Sequence, residues 1–138
     1  MKVMRSLAVL AVCVVWGAGC SSNATHVRRY GSVIGVKEDK LEYYKALHAE
    51  PWKGVLDNLK ACHIHNYSIY LKKMDDGKTY LFSYFEYTGH DFDGDMEKMA
   101  ADETVKTWWK ETDPCQFPLT NRKQGEWWAS MEEVFHSD

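Results

Sequence analysis

The sequence lacks a basic cluster: its 17 lysines and arginines are scattered among 20 aspartates and glutamates. No electrostatic footprint for a nucleic acid results, and no nucleic-acid partner is expected. A repeat at a solenoid period is also missing, which leaves a single folding unit as the expectation. Metal-ligand spacing is poorly represented. His63-Ile64-His65 sets two imidazoles two residues apart, but no carboxylate or thiolate at supporting spacing accompanies them. Asp91-Phe92-Asp93-Gly94-Asp95 begins like a calcium loop, yet its sixth position is Met96 instead of glycine and its twelfth is Asp102 instead of glutamate. Neither a metal nor an organic cofactor is implied. Cysteine is scarce. Once Cys13 is assigned to an export leader and Cys20 to a lipid site, only Cys62 and Cys115 remain, either as a pair in an oxidising compartment or as two buried thiols.

Long apolar runs are missing too, save one. Lys2 and Arg5 precede an uncharged stretch from Leu7 to Trp16, about half of the ~20 residues that a bilayer-crossing helix needs. Gly17-Ala18-Gly19-Cys20 follows, which completes the pattern of an export signal. A cysteine directly after small residues resembles the lipobox of bacterial lipoproteins, although Gly17 stands where a branched aliphatic residue is usual, so ordinary signal cleavage is the alternative. The expected organisation is a lipoprotein signal over residues 1–19, a lipidated Cys20 with a polar linker over 20–30, and a domain over 31–138. The leader takes two basic residues and no acid with it, moving the net charge from −3 to −5. This predicts an exported protein, lipid-anchored to a bacterial membrane and facing the periplasm. Ser21 after the cysteine offers no acidic retention signal, which favours the outer membrane.

What is present is a globular pattern, since 45% of residues are hydrophobic and 27% charged. Gly31 to Val36 reads as a strand, and Asp39 followed by Glu42 has the spacing of a helix-opening capping arrangement. Leu41, Tyr44 and His48 then share one helical face until Pro51 interrupts it, and Trp52, Val55, Leu56 and Leu59 resume the pattern. Ile64 to Met74 alternates as a strand, Asp75-Asp76-Gly77 turns, and Thr79 to Tyr87 completes a hairpin. Phe92, Met96 and Met99, then Val105, Trp108 and Trp109, predict a second broken helix. Residues 111–126 read as a long loop, and Met131 to His136 as a last strand. The order β-α-β-β-α-β is that of a ferredoxin-like split βαβ fold, an α+β class in which both helices cover one face of an antiparallel sheet. Its bare face predicts a homodimer.

His48 lies one turn after Tyr44, and the break at Pro51 leaves its end of the helix free to line a cavity. By the two-residue period of a strand, His65 and Tyr67 point to the same side, and if that side faces the helices Tyr67 can meet Tyr44 and His48. Trp108-Trp109 serves either a core or a sugar-stacking surface. With Trp52, Trp127, Trp128 and 14% aromatic residues, the composition leans toward a cavity.

The run Tyr44, His48, Trp52, then His65-Asn66-Tyr67-Ser68-Ile69-Tyr70-Leu71, Trp108-Trp109-Lys110 and Glu133-Val134-Phe135, spread over about residues 31–136, resembles the L-rhamnose mutarotase family. The resemblance implies a dimeric α+β barrel that interconverts the anomers of a free deoxysugar, L-rhamnose or a related deoxyhexose. It implies His48 as the catalytic proton donor and Tyr44, Tyr67, Trp108 and Trp109 as sugar-binding residues. A lipobox departs from the family's ordinary cytoplasmic setting, and residues 111–128 do not carry the family's usual residues. The alternatives are a non-catalytic sugar-binding lipoprotein, and a heme-degrading or monooxygenase-type relative of the same shape.

Overall fold

A computed structural model describes residues 27–137. The expected signal segment, the lipidation site Cys20 and the linker up to residue 26 lie outside the described residues.

Strand β1 (Arg28–Val36) opens the fold three residues earlier than its apolar pattern suggested, inside the stretch expected to be linker. The reason is aromatic packing from elsewhere in the chain. Tyr30 stacks on Phe85 at 5.0 Å and on Phe92 at 4.5 Å, and the Arg28 guanidinium lies over the rings of Tyr87 and Phe92. A charged residue thereby covers aromatic surface with its stem and plane.

A 3-10 turn over Glu38–Lys40 leads into α1 (Leu41–Ala49). The expected capping arrangement of Asp39 and Glu42 does not form, because Asp39 is taken up in the 3-10 turn and no side chain caps either element. Pro51 ends the helical run as expected, and α2 (Lys53–Ala61) restarts after it. β2 (Ile64–Lys73) and β3 (Thr79–Tyr87) form the hairpin, with Gly77 at φ 80° in the turn. α3 (Phe92–Ala101) and α4 (Glu103–Thr112) share Asp102 as a hinge, whose carboxylate accepts from the amides of Thr104 and Val105 and so starts α4. The segment expected as plain loop contains a 3-10 turn over Asp113–Cys115 and the short strand β4 (Gln116–Phe117). The last strand, β5 (Ala129–Met131), is earlier and shorter than expected, and residues 132–137 form no regular element.

The antiparallel sheet has the order β2-β3-β1-β4, with β5 also paired to β1, the order of a ferredoxin-like split βαβ fold. Two apolar clusters fill its helix-covered face. Ile34, Val36, Tyr44, Leu81 and Cys115 form one, while Cys62, Ile64, Tyr87, Met99 and Val105 form the other. The two cysteines are free, buried thiols in different clusters, so the disulfide alternative is not realised. Between the clusters, on the same side of the sheet, the hydroxyls of Ser32 and Ser83 meet at 2.6 Å.

The opposite face meets β4 closely at Gly35. A Cβ built there would fall 2.1 Å from the end of the Phe117 ring. Gly35→Ala is expected to push that ring off β1 and lower stability by about 1–3 kcal/mol in urea unfolding; an unchanged midpoint would show that the ring swings aside without loss.

Candidate active site

One irregularity in β2 sets the inner surface of the sheet. His65 pairs with Glu86 and Ser68 with Tyr84, so three steps along β2 match two along β3. The extra residue makes a bulge at Asn66, which has φ 49° and whose amide donates to Glu86 at 2.7 Å. Asparagine tolerates this left-handed backbone better than most residues. Because a bulge reverses the alternation, Tyr67 faces the helices together with Ile69, while His65 faces the other way. The expectation that His65 and Tyr67 share a side is therefore corrected. Tyr67 reaches the helix side because of the bulge.

On α1, His48 folds back one turn. Its Nδ1 lies 2.9 Å from the Tyr44 carbonyl oxygen, and its ring stacks on the Tyr44 ring with centroids 4.1 Å apart. A carbonyl can only accept, so in the neutral imidazole Nδ1 carries the hydrogen and Nε2 keeps its lone pair. Trp108, almost fully buried on α4, meets the imidazole edge-on at 5.2 Å, and Trp52 packs edge-on against Trp108 at 5.3 Å. The break at Pro51 is what brings Trp52 to this position, since it allows α2 to start in a new direction.

These surroundings sort the proton-carrying groups. Burial lowers the pKa of His48 below its ordinary 6.5, outweighing the bond to the Tyr44 carbonyl, which acts to raise it. Tyr44 is pushed well above the usual phenol range, first by burial and then by the nearby Tyr67, with a hydrogen bond to Gln116 opposing both. Tyr67 keeps 43% of its surface exposed, its ring edge-on to Phe85 at 5.6 Å. Burial of the remainder pushes its pKa up to about 12. Both phenols stay protonated near neutral pH and act as hydrogen-bonding groups. His48 is the member of the set suited to exchange a proton there.

The structure thus brings together Tyr44, His48 and Trp108, with Tyr67 close enough to Tyr44 to influence its ionisation. Trp109, one position further along α4, instead faces an outer hollow that it shares with Gln116 and Trp127. Three further residues escaped the sequence reading of the site. Trp52 carried a signal in its place after Pro51. Trp127 carried only its share of the aromatic surplus and Gln116 carried none, because the bond from the Trp127 indole to the Gln116 amide oxygen, 2.8 Å, joins a short strand to a distant part of an irregular loop. His63, one of the pair weighed for metal binding, bonds to Asp95 at 2.8 Å, and among the described residues no three acidic, histidine or cysteine side chains cluster as a metal site would require.

On the helix side of a split βαβ sheet of the α+β class, a histidine stands among aromatic rings, an arrangement that can exchange a proton with a small polar ligand. Comparison with known proteins narrows the class. The family model for L-rhamnose mutarotase matches residues 29–137. Over 112 residues the chain is 33% identical to an L-rhamnose mutarotase of Bacillus subtilis, covering 81% of this chain and 100% of that protein. An L-rhamnose mutarotase of Oceanobacillus iheyensis is 32% identical with the same coverage. In fold, the chain resembles the crystal structure of an L-rhamnose mutarotase from Formosa agariphila, with a TM-score of 0.58 at 21% identity over 80% of this chain and 99% of that one. The chain belongs to the L-rhamnose mutarotase family.

Proposed function

We propose that this protein is a carbohydrate isomerase that interconverts the α and β anomers of free L-rhamnose or a related deoxyhexose, with His48 carrying the proton. The supporting observation is the fixed imidazole: Nδ1 is tied to the Tyr44 carbonyl, so Nε2 is left for exchange. In ring opening, the anomeric hydroxyl loses its proton, the bond between the anomeric carbon and the ring oxygen breaks, and the ring oxygen gains a proton. The product is the open-chain aldehyde. After rotation about the bond to the second carbon, the same steps in reverse close the ring on the other face of the carbonyl. No proton is gained or lost overall, so one imidazole can take it from one oxygen and return it to the other. The phenols of Tyr44 and Tyr67 orient the sugar hydroxyls, and the indole of Trp108 shields its apolar face.

Saturation-transfer NMR on free L-rhamnose, with L-fucose for comparison, tests the reading. Anomer exchange should accelerate over buffer alone, and exchange at the buffer rate for both sugars would refute it. Tyr67→Phe should raise KM several-fold, equivalent to roughly 1 kcal/mol for one lost hydrogen bond, with kcat little changed.

The same reading includes a homodimer. The sheet face opposite the helices presents Tyr70, 65% exposed, and Met131, and the residues after β5 add the exposed Val134 and Phe135. A second copy of the chain would cover this apolar surface. Light scattering should give twice the chain mass, and Phe135→Glu should shift it toward the monomer. For localisation, the proposal is that the segment ending at Cys20 carries the domain out of the cytoplasm as a lipid-anchored protein. Its support is the motif alone, and loss of membrane association in Cys20→Ser would be the confirming result.

A further inference from the structure

The helix side of the sheet is closed at both ends and open in the middle. Ile34, Val36 and Leu81 are buried in one apolar cluster and Tyr87 in the other, whereas Tyr30, Ser32, Tyr67 and Phe85 between them keep part of their surface exposed. The floor of this gap carries the hydroxyls of Ser32 and Ser83, which face each other across β1 and β3 at 2.6 Å. Among the described residues these hydroxyls bond only to each other. One hydrogen and one lone pair close that bond, so the pair keeps one donor and three acceptor positions for a further partner.

The path of the chain sets His48 and Trp108 above these serines. β1 ends at Val36, and β2 begins at Ile64, which pairs with Tyr87 opposite Arg28 at the other end of β1, so α1 and α2 carry the chain back across the sheet. Tyr44 packs with Ile34 and Leu81. His48 lies four residues further along α1, an advance of about 6 Å, close to the ~6.7 Å that two residues of strand separate Ile34 from Ser32. α4 crosses in the opposite direction, from Val105 in the second cluster toward the turn at Cys115 in the first, and Trp108 falls between them. The edge-on contact of His48 with Trp108 at 5.2 Å joins the two helices over the same strip.

We propose that Ser32 and Ser83 are a specificity-determining pair of the site, hydrogen-bonding the sugar hydroxyls on carbons 3 and 4. This rests on the mutarotase reading. His48 works on the anomeric hydroxyl and the ring oxygen, which share one edge of the pyranose, and carbons 3 and 4 form the opposite edge. A ring held with its reacting edge toward α1 therefore turns those two hydroxyls toward the sheet. A hydroxyl both donates and accepts, and the serine pair retains both capacities. A sugar without a hydroxyl there leaves the serines unmatched and loses affinity, with nothing changed at the reacting edge.

The experiment is NMR exchange on L-rhamnose and its 2-deoxy, 3-deoxy and 4-deoxy analogues, with the wild type and the double variant Ser32→Ala/Ser83→Ala. The wild type should disfavour the 3-deoxy and 4-deoxy sugars by about tenfold in kcat/KM relative to L-rhamnose. The double variant should bring L-rhamnose down to their level, mainly through KM, and leave the values for those two analogues nearly unchanged. The 2-deoxy sugar keeps both hydroxyls of the far edge, so it should lose as much in the variant as L-rhamnose does. Urea unfolding checks that the variant is folded, and where it is not, Ser32→Ala alone, at the partly exposed member, is read in the same way. Discrimination against the 3-deoxy and 4-deoxy sugars that survives in the variant, or an equal loss on all four sugars, would overturn the assignment and leave the mutarotase reading intact. No acceleration of L-rhamnose by the wild type would end both.

Discussion

His48→Ala removes the acceleration of L-rhamnose anomer exchange, a loss of about 10²–10⁴-fold, the usual range for a single general acid–base group. The size follows from the sorting of pKa values around it: Tyr44 and Tyr67 are both held above the ordinary phenol range and cannot take over as base near neutral pH. His48→Gln is the informative companion, since it keeps a polar side chain of similar reach but cannot cycle a proton in this range. It should be as inactive as alanine while binding sugar nearly normally. Equal exchange rates for either variant and the wild type would reject the assignment. The pH profile carries the same signature. Burial lowers the His48 pKa, so the acidic limb of the rate profile lies below 6.5 instead of at it. For stability the sign runs in one direction: below pH 6.5 the unfolded chain binds this proton more readily than the folded one, so His48 adds a destabilising contribution as pH falls through that value and none above it.

Trp108→Ala should be the most damaging single change to both fold and activity, costing about 3–5 kcal/mol of stability, as expected for a buried tryptophan truncated in a packed site. The indole is 7% exposed and sits between His48 and Trp52, so its loss opens a cavity where two other rings have lost their wall. Activity should fall even under conditions where the variant is folded, because the imidazole then keeps only its contacts with Tyr44 to fix it. Urea unfolding and the NMR assay, run on the same preparation, separate the two effects. Trp109→Ala, one residue further on, should lower stability much less, because its indole is 37% exposed.

The contrast between these neighbours shows where the sequence was legible. Helical periodicity placed Tyr44 and His48 on one face, and Pro51 marked the break that frees the end of α1. The hairpin was readable from alternation and Gly77, with β3 spanning Thr79–Tyr87 as expected. Trp108-Trp109 was readable as a pair only. Whether both indoles face His48 depends on how α4 lies against α1 and α2, and the packing assigns Trp108 to the imidazole and Trp109 to the outer hollow. The loop after α4 was the least legible part. β4 exists because Gln116 and Phe117 pair with Val36 and Gly35, some eighty positions away, and no local pattern records such a pairing.

From the amino-acid order alone came the α+β class, the order of its main elements, the polarity of each helix face and the family to which the chain belongs, because propensity, periodicity and residue identity are local properties. Tertiary structure alone decided that Tyr67 turns toward the helices, since the bulge at Asn66 is defined by pairing against β3. It also decided that Gln116 and Trp127 join the surroundings of Tyr44, and that the charged Arg28 begins a strand instead of lying in a linker. Each of these depends on a partner distant in sequence, and a side chain's environment is fixed only when that partner arrives.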